Sequence, residues 1–178
     1  MVNLWVLAMA CFLISQRLLE LYIAENNYKW SIKAGAQEFG KEHYSLFFVL
    51  HGCWFIGWIV ESSIGKTVAV SELWYVWLSL FVIAQVVRYW CIASLGKAWN
   101  TRILVIPDRK LISRGPYQYI KHPNYVAVAI ELLVVPLLFG AVITATLATL
   151  CNTWLILGIR IPEEEKALSG GNIEKSSH

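Results

Sequence analysis

The sequence predicts an all-α integral membrane protein with about five transmembrane helices, the last two paired as a hairpin. Hydrophobic residues make up 57% of the 178-residue chain and charged residues only 15%, with a mean hydropathy of +0.54. Soluble domains carry about 25% charged residues. The apolar runs are continuous and do not alternate, so no strand is expected. Two polar islands, Arg114 to Tyr125 and Arg160 to Glu165, are separated by 34 residues with a single charge, Glu131.

A spanning helix needs about 20 mostly apolar residues, with a range of about 17–25. The first span is read at Val2 to Ala24. It lacks a basic leader and a small-residue cleavage site, which makes it a retained helix and not a signal peptide. The second, Tyr44 to Val60, is short. The third runs from Leu73 to Leu95. The run from Tyr125 to Ile159 is too long for one span and long enough for two, with Pro136 and Gly140 near the middle where a turn is expected. Trp54, Trp58, Trp74, Tyr75, Trp77, Tyr89 and Trp90 fall near span ends, as interfacial aromatic belts do.

Loop charges orient the chain. Ser94 to Pro123 holds six basic residues and one acid, Asp108; Glu61 to Glu72 holds only Lys66 as a base. Lysine and arginine collect in cytoplasmic loops. The first and third loops are therefore expected in the cytoplasm, with the N-terminus outside and the C-terminus inside, in what is expected to be a bacterial plasma membrane. Both polar islands then share the cytoplasmic face. One domain is expected over 1–168, with its catalytic part at about 94–168, followed by a disordered tail over 169–178. A net charge of +3, clustered in loops, gives no reason to expect a nucleic-acid partner. Cys11, Cys53, Cys91 and Cys151 each sit alone in apolar sequence and read as small buried hydrophobes, with no metal site.

Charges within spans are costly, about 2.5–3.5 kcal/mol each on insertion scales. Arg17 and Glu20 share a helix face at i, i+3 and can pair. Glu20 and Glu131 fit either a polar pocket or interhelical pairing, and Arg88 fits pairing or snorkelling to the surface.

The islands themselves carry the candidate chemistry. Pro123 is expected to open a helix with His122 extended before it, leaving a helix N-terminus suited to an anionic group. Tyr117 and Tyr125 offer flat apolar surface, Arg160 a forked cation for a carboxylate, and Glu164 and Glu165 acceptors for hydroxyl or ammonium groups. These residues fit a small-molecule site and, equally, a juxtamembrane basic loop with a charged helix end.

The pattern Gly115, Tyr117, Lys121-His122-Pro123, Tyr125, then an apolar hairpin, then Arg160, Glu164-Glu165 and Leu168 resembles the isoprenylcysteine carboxyl methyltransferase family. The segments Gln16–Glu20, Gly35–Gly40 and Leu95–Trp99 are similar to its short bacterial branch, which includes alkylpyrone O-methyltransferases of bacilli. The resemblance implies a membrane enzyme that uses S-adenosylmethionine and methylates a lipophilic acceptor, either a prenylcysteine-like carboxylate or an alkylpyrone-type hydroxyl. It implies cofactor contacts at Tyr117, His122, Pro123, Asn124, Tyr125 and Glu164, with Glu165, Leu111, Ile112 and Arg102 as further candidates. Arg160 is implied beside the reacting group of the substrate, with Glu131 a further candidate for substrate contact. Lys121 stands where arginine is usual and loses the bidentate fork. Pro162 either disturbs the helix between Arg160 and Glu164 or begins a new helical turn. Two other functional classes fit the same chain: a lipid amine N-methyltransferase, and a non-enzymatic membrane scaffold or transporter subunit built around Arg17, Glu20 and Glu131.

Overall fold

The computed structural model describes residues 4–64, 72–107, 109 and 112–173, with side chains through 169. Helix α1 spans Leu4–Lys33, α2 Tyr44–Ile64, α3 Trp74–Leu95, α4 Pro123–Leu138 and α5 Val142–Leu155. A π turn over Ile156–Arg160 leads directly into α6, Ile161–Ile173. Among the described residues, four helical stretches are long and apolar enough to cross a membrane: Leu4–Lys33, Lys41–Ile64, Trp74–Ala98 and Val142–Ser169. The protein is an all-α integral membrane protein. Helix α4 is apolar but has only 16 residues, about 24 Å at 1.5 Å per residue. It packs inside the bundle against α3 and α5.

Lipid supplies no hydrophobic drive for helices to associate, so buried faces favour small and polar residues. Helix α1 follows this rule. Ala10, Gln16, Glu20, Ala24 and Ser31 recur at helical spacing on its buried face, while Trp5, Leu7, Phe12, Leu18 and Tyr22 face outward. The helix continues nine residues beyond the predicted end at Ala24. Those extra turns are polar enough to leave the membrane and carry Asn27 and Tyr28 toward the loops.

The hairpin turn lies at Phe139 to Ala141, where Gly140 takes φ +74°, a conformation costly for other residues. Pro136 sits inside α4 and not in the turn. Proline has no N–H to bond the carbonyl of Leu132 one turn back. The Trp54 indole supplies the missing donor, 3.0 Å from that carbonyl. This corrects the interfacial placement of two tryptophans. Trp54 and Trp58 are 1% and 0% exposed, and Trp58 stacks on Phe139 at 5.4 Å. Trp74, Tyr75, Tyr89 and Trp90 do face outward.

The start of α5 is capped from a distance. Glu61 of α2 accepts hydrogen bonds from the Ile143 N–H (2.9 Å), the Thr144 N–H (2.8 Å) and the Thr144 hydroxyl (2.7 Å). A carboxylate satisfying orphan amides at a helix N-terminus is stabilising. Glu61→Ala is expected to cost about 0.5–2 kcal/mol, the usual range for a lost cap. The readout is the thermal unfolding temperature in detergent. An unchanged temperature would show that the contact contributes nothing.

A two-stranded antiparallel sheet corrects the expectation of no strand. Strand β1, Gln37–Phe39, pairs with β2, Ile103–Val105, with Gln37 opposite Val105 and Phe39 opposite Ile103. Three residues are too few for an alternating pattern to show in sequence. The sheet joins the first and third loops, so both lie at the same end of the bundle. Asn27 Nδ2 donates to the Trp99 carbonyl at 2.7 Å, and Asn100 Nδ2 to the Ala24 carbonyl at 3.0 Å, binding the third loop to the end of α1. Further on, Gly115 (φ +60°) rests against the end of α3. A Cβ there would fall 2.0 Å from the Ser94 hydroxyl, so no other residue fits without displacement. Helix α6 carries the chain past Leu168 to Ile173; residues 174–178 lie outside the described residues.

Candidate active site

The two polar islands meet. Pro123 opens α4 as expected; His122 before it takes φ −129° and ψ 60°, which corrects the extended conformation expected of it. Tyr125 stands in the first turn, and its ring stacks on His122 with centroids 5.2 Å apart and 7° between planes. From the returning α5–α6 rod come Arg160 and Glu164. The Tyr125 hydroxyl accepts from Arg160 Nε at 3.1 Å and donates to Glu164 Oε2 at 2.7 Å. His122 Nδ1 lies 3.7 Å from the same carboxylate oxygen. Tyr125, at the start of α4, thus links a cation and an anion that both come from the returning side of the hairpin.

Pro162 shapes this arrangement. Its ring would crowd the carbonyl of Gly158 in a regular α-helix and it has no N–H to offer. The backbone widens into the π turn over Ile156–Arg160 and resumes as α6 at Ile161, with Pro162 in the first turn. Proline is tolerated there. Such single wide turns change the angular position of the side chains that follow. Arg160 and Glu164 are set on either side of this shift.

A cavity of about 380 Å³ opens beside these groups. Its polar lining includes Arg160, Tyr125, Asn124, Thr101 and Asn100 as well as Arg17, Glu20, Arg88, His51 and Asn152, and its apolar lining includes Phe47, Phe55, Val128 and Ile156. Arg160 Nη2 donates to the Thr101 carbonyl at 3.0 Å, and its guanidinium lies 5.9 Å from the Phe47 ring centroid. No carboxylate pairs with Arg160 among the described residues. The positive charge therefore faces the cavity without a neutralising partner.

The remaining sequence candidates divide by position. Asn124 reaches the cavity wall, and its Oδ1 is buried without a hydrogen-bond partner. His122 Nε2 is likewise buried and unpartnered. Tyr117 lies off the cavity, where its hydroxyl meets the Cys91 thiol and burial pushes its pKa far above the usual phenol value. Pro123 is buried at the helix start. Glu165 pairs with Lys121 at 2.5 Å on an exposed face, where water and salt screen the contact. Ile112 is half-buried in the loop; Leu111, together with Asp108 and Lys110, lies outside the described residues.

Two further candidates stand outside the cavity lining. Arg102 does not line the cavity. Its guanidinium is clamped between the Tyr28 and Tyr44 rings, 4.9 and 4.6 Å away, and bonded to Glu38 at 2.6 Å. The Glu38 carboxylate raises its pKa further. This clamp holds the segment whose Thr101 carbonyl anchors Arg160. Glu131 does not line the cavity either. It is 2% exposed and stands behind Arg17 and Arg88 in a buried ion network, which pairing, and not snorkelling, explains.

Other cavity residues were not singled out from sequence. His51 and Asn152 are lone polar residues within apolar runs, and intramembrane polar groups are a signal of function in their own right. Tyr44, Trp99 and Thr101 carry no such mark, since nothing local in sequence distinguishes them.

A family model for isoprenylcysteine carboxyl methyltransferases matches residues 77–170. An uncharacterized protein of Bacillus subtilis (strain 168), YpbQ, is 40% identical over 157 residues, covering 88% of this chain and 92% of that protein. An uncharacterized protein of Haemophilus influenzae is 27% identical over 160 residues, covering 90% of this chain and 92% of that one. No solved structure matches. The matched segment holds both polar islands and the hairpin between them, and the chain belongs to the isoprenylcysteine carboxyl methyltransferase family.

Proposed function

We propose that this protein transfers a methyl group from S-adenosylmethionine to an anionic oxygen of a lipophilic acceptor, at the cytoplasmic face of the bacterial plasma membrane. The single observation that carries the reading is Arg160, an un-neutralised cation at the wall of a membrane-embedded cavity. Its two anchors, the Tyr125 hydroxyl and the Thr101 carbonyl, hold it in place without cancelling its charge. A carboxylate or enolate entering the cavity meets a preorganised, forked donor.

The cofactor strip fits S-adenosylmethionine. His122 Nε2 and Asn124 Oδ1 are buried without partners at the start of α4, so an imidazole nitrogen and an amide acceptor are free where a ligand with polar groups is expected. Glu164 adds a carboxylate for an ammonium or ribose hydroxyl. Tyr125 and His122 offer stacked planes. When bound, S-adenosylmethionine supplies an electrophilic methyl group on a sulfonium. Arg160 would hold the acceptor oxygen in line, and Glu164, through Tyr125, would fix the register between cofactor and acceptor. An acceptor that is already an anion needs no general base. Alignment then carries most of the rate enhancement.

Lateral access suits a greasy acceptor. Phe48 and Gly52 line the cavity yet are exposed on the face of α2, where an alkyl chain can leave sideways into lipid. The pairing of β1 with β2 gathers the first loop and the strongly basic third loop at the end of the bundle that holds the islands, in keeping with a cytoplasmic site. Arg160 also weighs against an amine acceptor. Two unit cations 4 Å apart repel by about 4 kcal/mol at an effective dielectric of 20. A prenylcysteine-like carboxylate and an alkylpyrone-type enol both satisfy this site.

Glu164→Ala is the test of the cofactor half. Loss of a hydrogen bond to a charged group is expected to weaken S-adenosylmethionine binding by about 10- to 100-fold, read by calorimetric titration of purified protein. Wild-type affinity in that variant would remove Glu164 from the cofactor site.

A further inference from the structure

Helix α4 is short for a span. Its 16 residues cover about 24 Å, against a hydrocarbon layer of about 30 Å. The 22 residues of α3 cover about 33 Å, enough for the whole layer. The segment that precedes α4 accounts for the difference, because it does not stay above the end of α3. Arg114 Nε donates to the Ser94 carbonyl in the last turn of α3. A Cβ on Gly115 would fall 2.0 Å from the Ser94 hydroxyl and 3.0 Å from Trp90 Nε1, a turn deeper. The Tyr117 hydroxyl bonds with the Cys91 thiol, about 6 Å along α3 from its end at Leu95. The short turn over Gly115–Gln118 is therefore set at the depth of the last turn of a spanning helix.

Two side chains at the tip of this segment have little protein cover. Tyr119 is 79% exposed and Ile120 is 49% exposed. Their amides both bond to the Pro116 carbonyl at 3.1 Å, so the tip is an ordered turn with its donors satisfied. Irregular backbone is tolerated at membrane depth only where its polar groups have partners. The elements on either side expose apolar surface too. Tyr89 and Trp90 near the end of α3 are exposed, and so is Val126 in the first turn of α4. The tip therefore continues a surface that already faces lipid. A tyrosine, with an apolar body and a polar end, suits the boundary between headgroups and hydrocarbon.

We propose that Tyr119 and Ile120 insert into the interface of the protein's own bilayer and anchor the segment that follows them. His122, Asn124 and Tyr125 come directly after this tip, so the anchor sets their depth and their position against Arg160 and Glu164. This second step rests on the reading of the strip at the start of α4 as the S-adenosylmethionine site. The insertion itself does not. Tyr119 and Ile120 are positioning residues: they touch lipid, and they act on the cofactor through the strip.

The experiment places a bimane label at Tyr119→Cys in protein that also carries Cys11→Ser, Cys53→Ser and Cys151→Ser; Cys91 is fully buried and stays. Reference labels sit at Val86→Cys, exposed on α3, and at Lys166→Cys, exposed on α6. In lipid vesicles, quenching by a lipid with a nitroxide on its acyl chain is compared with quenching by iodide in the water. The label at 119 is expected to give a lipid-to-iodide ratio nearer that of Val86→Cys. A ratio nearer that of Lys166→Cys, or quenching by neither agent, as a covering protein would give, overturns the anchor. Ile120→Cys carries the same expectation if the first variant does not fold. Tyr119→Ser with Ile120→Ser is then expected to weaken S-adenosylmethionine binding in vesicles about tenfold, as a strip in place about one-tenth of the time would give. Tyr119→Phe with Ile120→Val keeps the apolar tip and is expected to bind as the wild type does. Unchanged affinity in the serine variant, or equal loss in both variants, overturns the hold of the tip on the strip. Wild-type protein that inserts the tip and binds no S-adenosylmethionine overturns the cofactor reading and leaves the anchor standing; binding with the tip in water does the reverse.

Discussion

Arg160→Ala is expected to lower methyl transfer by about 10²–10³-fold while leaving S-adenosylmethionine affinity within about threefold of wild type. The magnitude is that of removing one preorganised donor from a developing or resident oxyanion. The asymmetry follows from geometry. Arg160 faces the cavity and is held by Tyr125 and Thr101, whereas the unpartnered atoms of the cofactor strip belong to His122 and Asn124. Arg160→Lys keeps the charge but cannot donate to both anchors in one plane. Its turnover should fall between the two. Single-turnover rates with labelled cofactor, paired with a binding titration, separate the steps. If Arg160→Ala loses both functions together, the arginine supports the cofactor site and not the acceptor. A wild-type rate would remove it from the site altogether.

Glu20→Ala carries the largest expected effect on stability, about 3–5 kcal/mol, the cost of leaving a buried charge without its partner. Glu20 accepts from Arg88 through both Nε and Nη2 at 2.6 Å, and from Gln16 Nε2 at 3.1 Å, and pairs with Arg17. Glu131 pairs with Arg17 and accepts from Gln85 Nε2 at 3.0 Å. Four charges from α1, α3 and α4 close one network. Removal of any one strands another in a low-dielectric interior. The double variant Glu20→Met with Arg88→Met removes a complete pair and is expected to be less destabilised than Glu20→Ala alone. Thermal unfolding in detergent distinguishes the outcomes. Additive losses would show that the two residues stabilise the fold independently.

What the sequence revealed, and what it concealed, follows from the range of the forces involved. Spans, the α4–α5 hairpin and the meeting of the islands were legible because hydropathy and chain length act locally. Gly140 marked the turn because only a glycine takes that backbone angle cheaply. Pro136 pointed to the same turn wrongly. Its effect is absorbed by a tryptophan 82 positions earlier, Trp54, a contact no local pattern encodes. The same contact hid the burial of Trp54, since an indole near a span end reads as interfacial. Strands of three residues are too short to show a period, so the sheet that joins two loops was invisible. Arg102 and Glu131 were singled out by charge and position, and the structure sets both outside the cavity lining. Charge and position along the chain indicate that such residues matter. Whether they face a ligand or brace the residue that does depends on partners distant in sequence: Glu38 and two tyrosine rings for Arg102, and two arginines and a glutamine for Glu131.

The central claim is that the cavity beside Arg160 joins a soluble methyl donor to a lipophilic oxygen acceptor. The most direct measurement uses purified protein in lipid vesicles, S-adenosylmethionine labelled on its methyl carbon, and alkylated enol and prenylcysteine acceptors supplied side by side. Label recovered in an organic-extractable O-methyl ether or ester from the wild-type protein, and lost with Arg160→Ala, is the expected result. Wild-type protein that binds neither cofactor nor acceptor, or label found only on lipid amines, would contradict it.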